Sequence, residues 1–283
     1  FVLAKEYPYN YRSSYFLGRG DTGIADADNE DAIFYNAAGL AFGDGFYKKT
    51  ILPSIGLQLS NATKDTATKI SLQQEESVSA LRDLIGTPQH LGGYLFAGII
   101  FRGAAAGAYS SNTVTALVAK KPDEGAIEQA SYNISSKTGL VFTFAQKFLD
   151  NQGIGLTTRI MSAVTQLSTS VTATDIDSAT SNAAKGSGLG FDLGYMYKFI
   201  GMTNYHVGVT IENIGDTSFD LEGDGNNETA TLEPDPMTVN IGLGIEKKAQ
   251  VSSFKFLFDY RDLLNNTGES FVKKTHIGAE ISL

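Results

Sequence analysis

Cysteine and tryptophan are absent from this chain of 283 residues, which has only 6 prolines and 3 histidines. Without cysteine there is no disulfide framework and no thiolate metal site. His90, His206 and His276 stand far apart, with none of the His-Glu-x-x-His spacing that puts two imidazoles on one helix face. No Gly-x-Ser-x-Gly elbow offers a nucleophile. The expectation is a protein that is not an enzyme and carries neither metal nor cofactor. Basic residues are the minority, 22 Lys and Arg against 31 Asp and Glu, for a net charge of -9. No basic stripe exists to neutralise phosphates, so nucleic acid is excluded as a partner. Also missing is the run of about 20 apolar residues that a spanning helix needs. The nearest approach, Gly92 to Tyr109, carries Arg102 inside it and four glycines beyond Gly92. No Pro/Ser-rich or charge-rich linker divides the chain, so a single architecture is expected.

What is present is glycine and aromatic residues: 30 Gly, 17 Phe and 13 Tyr. They fall in segments that alternate with period 2, the mark of strands with two unlike faces. In the last ten residues, Thr275, Ile277, Ala279, Ile281 and Leu283 share one side, and Lys274, His276, Gly278, Glu280 and Ser282 the other. In 252–261, Phe254, Phe256, Phe258 and Tyr260 oppose Lys255, Leu257, Asp259 and Arg261. In 237–247, Val239, Ile241, Leu243 and Ile245 oppose Asn240, Gly242, Gly244 and Glu246. Segments 204–213 and 188–199 repeat the scheme, with Glu212, Asp192 and Lys198 on their glycine-rich polar sides. Further strands fit at 137–148, 151–163, 104–119, 90–101 and 51–60.

Each segment is about ten residues, the length with which a tilted strand crosses a bilayer, and short connections alternate with long polar ones at roughly 165–187, 216–236 and 262–271. The fold expected is therefore all-β: an antiparallel transmembrane outer-membrane β-barrel of about ten strands, within a range of ten to fourteen. Residues 1–47 fit no strand pattern and are read as an N-terminal hatch or plug, with 48–283 as the barrel. A short extracellular helix is expected over 66–86. The C-terminus is read as periplasmic, the long loops as extracellular, and Phe1 as a mature N-terminus left by a removed signal peptide.

Gly18, Gly20 and Gly23 also satisfy a Gly-x-Gly-x-x-Gly pattern. A dinucleotide site would need a buried strand before it and a helix after it, and Tyr11 to Leu17 is a poor strand. Together with the stretch Asp31 to Leu40, which includes Asn36, Ala38, Gly39 and Leu40, these glycines carry a different signature. It resembles the N-terminal hatch of the long-chain fatty-acid transporter (FadL-like) family and of related barrels that include the shuttle protein of type 9 secretion. Those families end the motif in Asn-Pro-Ala-Gly-Leu; Ala37 stands here in place of the proline. Gly190–Tyr197, Val207–Gly215, Asn240–Glu246 and His276–Glu280 follow the rhythm of the family's strands. The resemblance implies a barrel with its N-terminal segment folded into the lumen. In the transporters that hatch guards a hydrophobic passage with a lateral opening; in other members the barrel carries or anchors partner proteins. Family members usually have fourteen strands and continue past a segment like His276–Glu280, where this sequence stops, so the resemblance leads to the expectation of a smaller barrel.

Three groups of residues qualify as sites. Asp192, Lys198, Glu212, Glu246, Lys255, Asp259 and Arg261 are lumen-facing and mixed in sign, as expected of a network bracing wall and hatch rather than a single-sign ion filter. Gly103, Ala104, Ala105, Ala106 and Gly107 interrupt the pattern with small residues. They suggest a kink in the wall, a smooth contact for lipid or a neighbouring barrel, or an ordinary strand. Asp220, Glu222 and Asp224 have the alternate spacing of a calcium loop, but Thr231 stands where its closing glutamate belongs. Three functions follow: holding or passing hydrophobic, lipid-like small molecules; a structural or partner-binding barrel that self-associates; and a small-solute porin. Expected partners are membrane lipids, a hydrophobic ligand, and a second copy or another outer-membrane protein.

Overall fold

A computed structural model describes residues 11–43, 48–49, 54–60, 89–120, 128–171, 184–221, 232–248 and 251–282. They build one twelve-stranded antiparallel sheet. Its strands are β1 (Lys48–Lys49), β2 (Ser54–Leu59), β3 (Gln89–Phe101), β4 (Ala104–Lys120), β5 (Glu128–Leu149), β6 (Gln152–Val171), β7 (Ala184–Phe199), β8 (Asn204–Glu212), β9 (Phe219–Leu221), β10 (Thr238–Lys248), β11 (Ser253–Tyr260) and β12 (Thr275–Ser282). From β3 onward, neighbours in sequence are neighbours in the sheet, apart from β9, which pairs with the start of β7 and leaves β8 against β10. β1 and β2 both lie along β3. Among the described residues, no ladder joins β2 to β12, so the seal expected between last strand and first is not made by backbone pairing there. Among them, too, no helix is long and apolar enough to cross a membrane.

Every segment read as a strand from its alternation lies in this sheet. Gly92 to Tyr109 is a hairpin, with Arg102 and Gly103 in its two-residue turn and Gly103 at φ +78°. β5 and β6 run to 22 and 20 residues, well into stretches expected to be loop. The residues added to β6, 164–171, are rich in Ser and Thr. Such positions give no apolar–polar contrast, yet they extend a ladder readily because hydroxyl and β-branched side chains suit a pleated surface. The helix expected over 66–86 lies outside the described residues.

The two faces of the sheet are unlike. One is covered by residues 11–43, which form two short helical turns, α1 (Ser14–Leu17) and α2 (Ala32–Tyr35), followed by a 3-10 turn at Ala37–Ala41. Ser13 caps α1 by accepting from the Tyr15 N–H at 3.2 Å, and Asn36 caps the 3-10 turn through the Ala38 N–H at 3.1 Å. A core forms between this segment and the sheet. Tyr11, Phe16, Ile33, Tyr35 and Leu40 meet Tyr94, Phe96, Ile100, Tyr109, Val141 and Met161. The opposite face is uncovered and apolar along its length: Leu57 on β2, Leu95 and Ile99 on β3, Leu140 and Phe144 on β5, Ile160 on β6, Leu189 on β7, Leu243 and Ile245 on β10, Phe254 on β11 and Ile277 on β12 are all exposed.

Candidate functional site

The functional candidate is the contact between residues 11–43 and the covered face of the sheet. It begins with glycine. Gly155 on β6, Gly194 on β7, Gly208 on β8, Gly242 on β10 and Gly278 on β12 all sit on the covered side, where the N-terminal backbone lies directly against the sheet. A methyl group on Gly208 would overlap the Ile24 carbonyl, and one on Gly278 the Arg19 carbonyl. On Gly242 it would lie 2.7 Å from the Ala25 nitrogen and 2.7 Å from the Asp259 carboxylate. The glycine-rich polar faces in the sequence are thus a seat for another stretch of backbone.

Around that seat the charges interlock. Asp259 Oδ2 accepts from the N–H groups of Gly23 at 2.7 Å and Ile24 at 3.1 Å. Asp26 is met by Arg19 at 2.9 Å, Lys255 at 3.0 Å and His206 at 3.1 Å. Burial opposes its charge, but His206, Lys255 and Arg19 together hold its carboxyl well below the usual carboxylate range. Asp21 is likewise buried and likewise lowered, because Arg261 and Arg12 outweigh the cost of desolvation. Arg12 stands 3.1 Å and Arg261 3.5 Å from its Oδ2, and the Tyr35 hydroxyl donates to Oδ1. Lys198 reaches Asp28 at 2.9 Å. Asp31 behaves in the opposite way. Burial and the neighbouring Glu30 push its carboxyl up to about 6, against one short bond from the Ser13 hydroxyl at 2.6 Å.

Of the seven charges singled out in the sequence, Lys198, Lys255, Asp259 and Arg261 therefore bind the N-terminal segment directly. The other three are held within the sheet and its turns. Asp192 pairs with Arg159 at 2.7 Å and accepts from the Asn213 N–H at 2.8 Å. Glu212 accepts from Asn240 at 2.9 Å, and Glu246 from Asn204 at 2.8 Å. Sequence reasoning missed Arg159, Arg19, Asp21, Asp26 and the Lys137–Asp235 pair at 2.6 Å. The available signal was complementarity: Asp21, Asp26 and Asp28 in the N-terminal segment face Arg261, Lys255 and Lys198 in the strands.

The hatch-motif residues have distinct tasks. Gly18 closes α1, and Gly20 turns the chain at φ +74° against Ile277. Gly23 supplies a donor to Asp259. The Asn36 amide donates to the carbonyls of Ile24 at 2.7 Å and Tyr195 at 3.0 Å, tying segment to sheet. Ala38, Gly39 and Leu40 form the buried 3-10 turn, and the Leu40 carbonyl accepts from the Gly103 N–H at 3.1 Å.

Gly103 lies in the β3–β4 turn, and Ala104 to Gly107 open β4. Ala104, Ala105, Ala106 and Gly107 pair without register shift to β3 on one side and β5 on the other. The small residues have a packing reason: carbons added to Gly98 and Gly107 would fall 2.7 and 2.6 Å from the Phe96 ring, which lies across both. Asp220 is exposed on β9, and Glu222 and Asp224 lie outside the described residues. No cluster of His, Asp or Glu able to hold a metal occurs among the described residues.

The N-terminal segment also spans the two unpaired edges. Tyr11 donates to Ser54 at 2.9 Å and Arg12 to Gln58 at 3.3 Å on β2; Tyr15 at 3.1 Å and Arg19 at 2.6 Å donate to Glu280 on β12. Between segment and sheet, Tyr11, Phe34, Tyr35, Arg159, Glu212 and Arg261 line a cavity of about 20 Å³. That is room for a water molecule and not for an acyl chain.

No protein-family model, curated protein or solved structure matches the chain.

Proposed function

We propose that this chain is an integral outer-membrane β-barrel of the FadL-like kind, closed by its own N-terminal hatch, that holds or passes hydrophobic, lipid-like small molecules. The observation that carries the membrane part is the uncovered apolar stripe on strand after strand, opposite a face rich in charge. Water outside and lipid inside would demand the reverse arrangement. Monomeric soluble proteins rarely expose contiguous apolar patches beyond a few hundred Å². The lipid-like ligand is supported by how the covered face divides. Tyr94, Phe96, Tyr109 and Met161 on β3, β4 and β6 make one half aromatic and apolar, while β7 to β12 supply the charges that latch the hatch. Movement of the hatch would uncover the aromatic half to a lipid-like guest.

The small cavity favours a second reading, a non-transporting barrel that binds partner proteins or its own copies. One purification in mild detergent, reporting native mass and extracted lipid together, separates the two. Lipid in fixed proportion supports the first, and an empty barrel of defined oligomeric mass supports the second. Steady ion conductance across a planar bilayer would refute both, because each requires a sealed lumen.

A further inference from the structure

The connection between β11 and β12, expected to be a polar extracellular loop over 262–271, is a compact turn that carries apolar as well as polar side chains on its surface. Residues 262–274 are tightly built around a single buried ion pair, Lys274 with Asp262 at 3.0 Å. Asp262 also accepts from the N–H groups of Asn266 at 2.8 Å and Thr267 at 3.0 Å and from the Thr267 hydroxyl at 2.6 Å. The loop is fastened to its neighbour as well: Leu263 N–H donates to the Val239 carbonyl at 2.8 Å and the Asn266 amide to the Met237 carbonyl at 2.7 Å. Yet this rigid loop displays four large apolar side chains. Leu263 is 57%, Leu264 54%, Phe271 68% and Val272 79% exposed, while Lys274, in the same helical turn, is 2% exposed. A turn that buries Lys274 and presents Phe271 and Val272 beside an exposed Lys273 leaves large apolar side chains where contact with water is unfavourable.

Strand length points the same way. β11 and β12 have 8 residues each. At about 3.3 Å per residue and a tilt near 40°, eight residues cover roughly 20 Å of the ~25 Å apolar band of such a barrel. One helical turn rises about 5.4 Å, which is the deficit. The Phe271 ring sits 5.6 Å from Tyr260, at the head of the uncovered stripe Phe254, Phe256, Phe258 and Tyr260.

We infer that residues 262–274 are a lipid-facing cap that completes the apolar belt above the eight-residue strands β11 and β12, with Leu263, Leu264, Phe271 and Val272 seated among outer-leaflet acyl chains. The Lys273–Glu269 pair at 2.8 Å marks its polar end. This rests on the membrane reading above, and the test keeps the two apart. The chain has no tryptophan, so a single Phe→Trp change gives a unique reporter. Phe271→Trp, Phe256→Trp in mid-stripe and Ser218→Trp at an exposed polar position just before β9 are each reconstituted into vesicles of phosphatidylcholine brominated along one acyl chain. The expected result is loss of emission from Phe271→Trp comparable to that from Phe256→Trp, with Ser218→Trp unquenched. Quenching of Phe256→Trp alone would overturn the cap and leave the barrel standing. Emission retained at Phe256→Trp would overturn the membrane reading and the cap with it.

Discussion

Gly242→Ala should unlatch the hatch. The added carbon would lie 2.7 Å from the Ala25 nitrogen, 2.7 Å from Asp259 Oδ1 and 2.8 Å from Ile24 Cβ, where ordinary contact begins at 3.4 Å. Relief therefore needs a displacement of about 0.7 Å (3.4 less 2.7), shared between two groups that are bonded to each other. β10 cannot yield easily, being laddered to β8 and β11 on both sides. If the Gly23–Ile24 backbone moves away from Asp259 by that amount, its bonds of 2.7 and 3.1 Å stretch to about 3.4 and 3.8 Å, and the second ceases to be a hydrogen bond. Losing a hydrogen bond to a buried charge costs about 1.5–3 kcal/mol. The assay is trypsin cleavage after Arg19, a side chain buried in the closed state. When opening and closing are fast relative to cleavage, the rate follows the open population. A cost of about 1.5–3 kcal/mol then raises it by ~10- to 150-fold, with unchanged strand content by circular dichroism. Gly93→Ala is the control: its added carbon meets only Leu57 Cδ2, at 3.9 Å. A Gly242→Ala rate within threefold of the parent protein would refute the idea that glycine on this face exists to seat the hatch.

Three further outcomes follow from the same contacts. Asp26→Asn removes the shared counter-charge of Arg19, Lys255 and His206. It should cost about 3–5 kcal/mol, as broken buried pairs do, read as a lower urea midpoint for hatch release. Asp31→Asn should act in the opposite direction and only at higher pH. Its folded pKa of about 6 lies above the ordinary 3.8, so the folded state keeps a proton that the released state gives up. Its ionisation thus costs nothing below pH 4, costs progressively more up to pH 6, and by pH 7 amounts to roughly 3 kcal/mol at most. Asparagine should stabilise at pH 7.5 and leave stability at pH 4 nearly unchanged; equal gains at both would contradict the assignment to charge. Leu257→Ala opens a hole in a side chain that is 1% exposed on the covered face. A loss of about 2–5 kcal/mol is expected by thermal melting, whereas Ile281→Ala at the exposed edge should cost far less in detergent.

What the sequence could reveal here depended on contrast between neighbouring residues. Where apolar and polar side chains alternate, as from Leu189 to Phe199 or Phe254 to Tyr260, both the strand and its uncovered side were legible, because a period of 2 has no other simple explanation. Where the alternation breaks down, as over 164–171, the end of β6 was invisible, although the ladder runs on. The charged wall residues were legible as inward-facing, but their partners were not. Lys255 and Asp26 are 229 positions apart, and nothing local in either segment encodes that meeting. Beyond β11 the hidden information was a contact. Asp262 and Lys274 look solvated when read singly, since polar residues usually are; their burial against each other, 12 positions apart, exists only in three dimensions. Glycine carried the most information and was the hardest to use. A glycine in a strand signals a bend, a weak point or a close approach, and the sequence offered no means of choosing among them. Gly155, Gly194, Gly208, Gly242 and Gly278 become one feature only when the register aligns their strands beneath residues 19–37. The covered face is poor in side chains there because its polar interactions are made with the backbone and charges of the hatch, so the glycines of the wall and the irregular N-terminal segment specify each other.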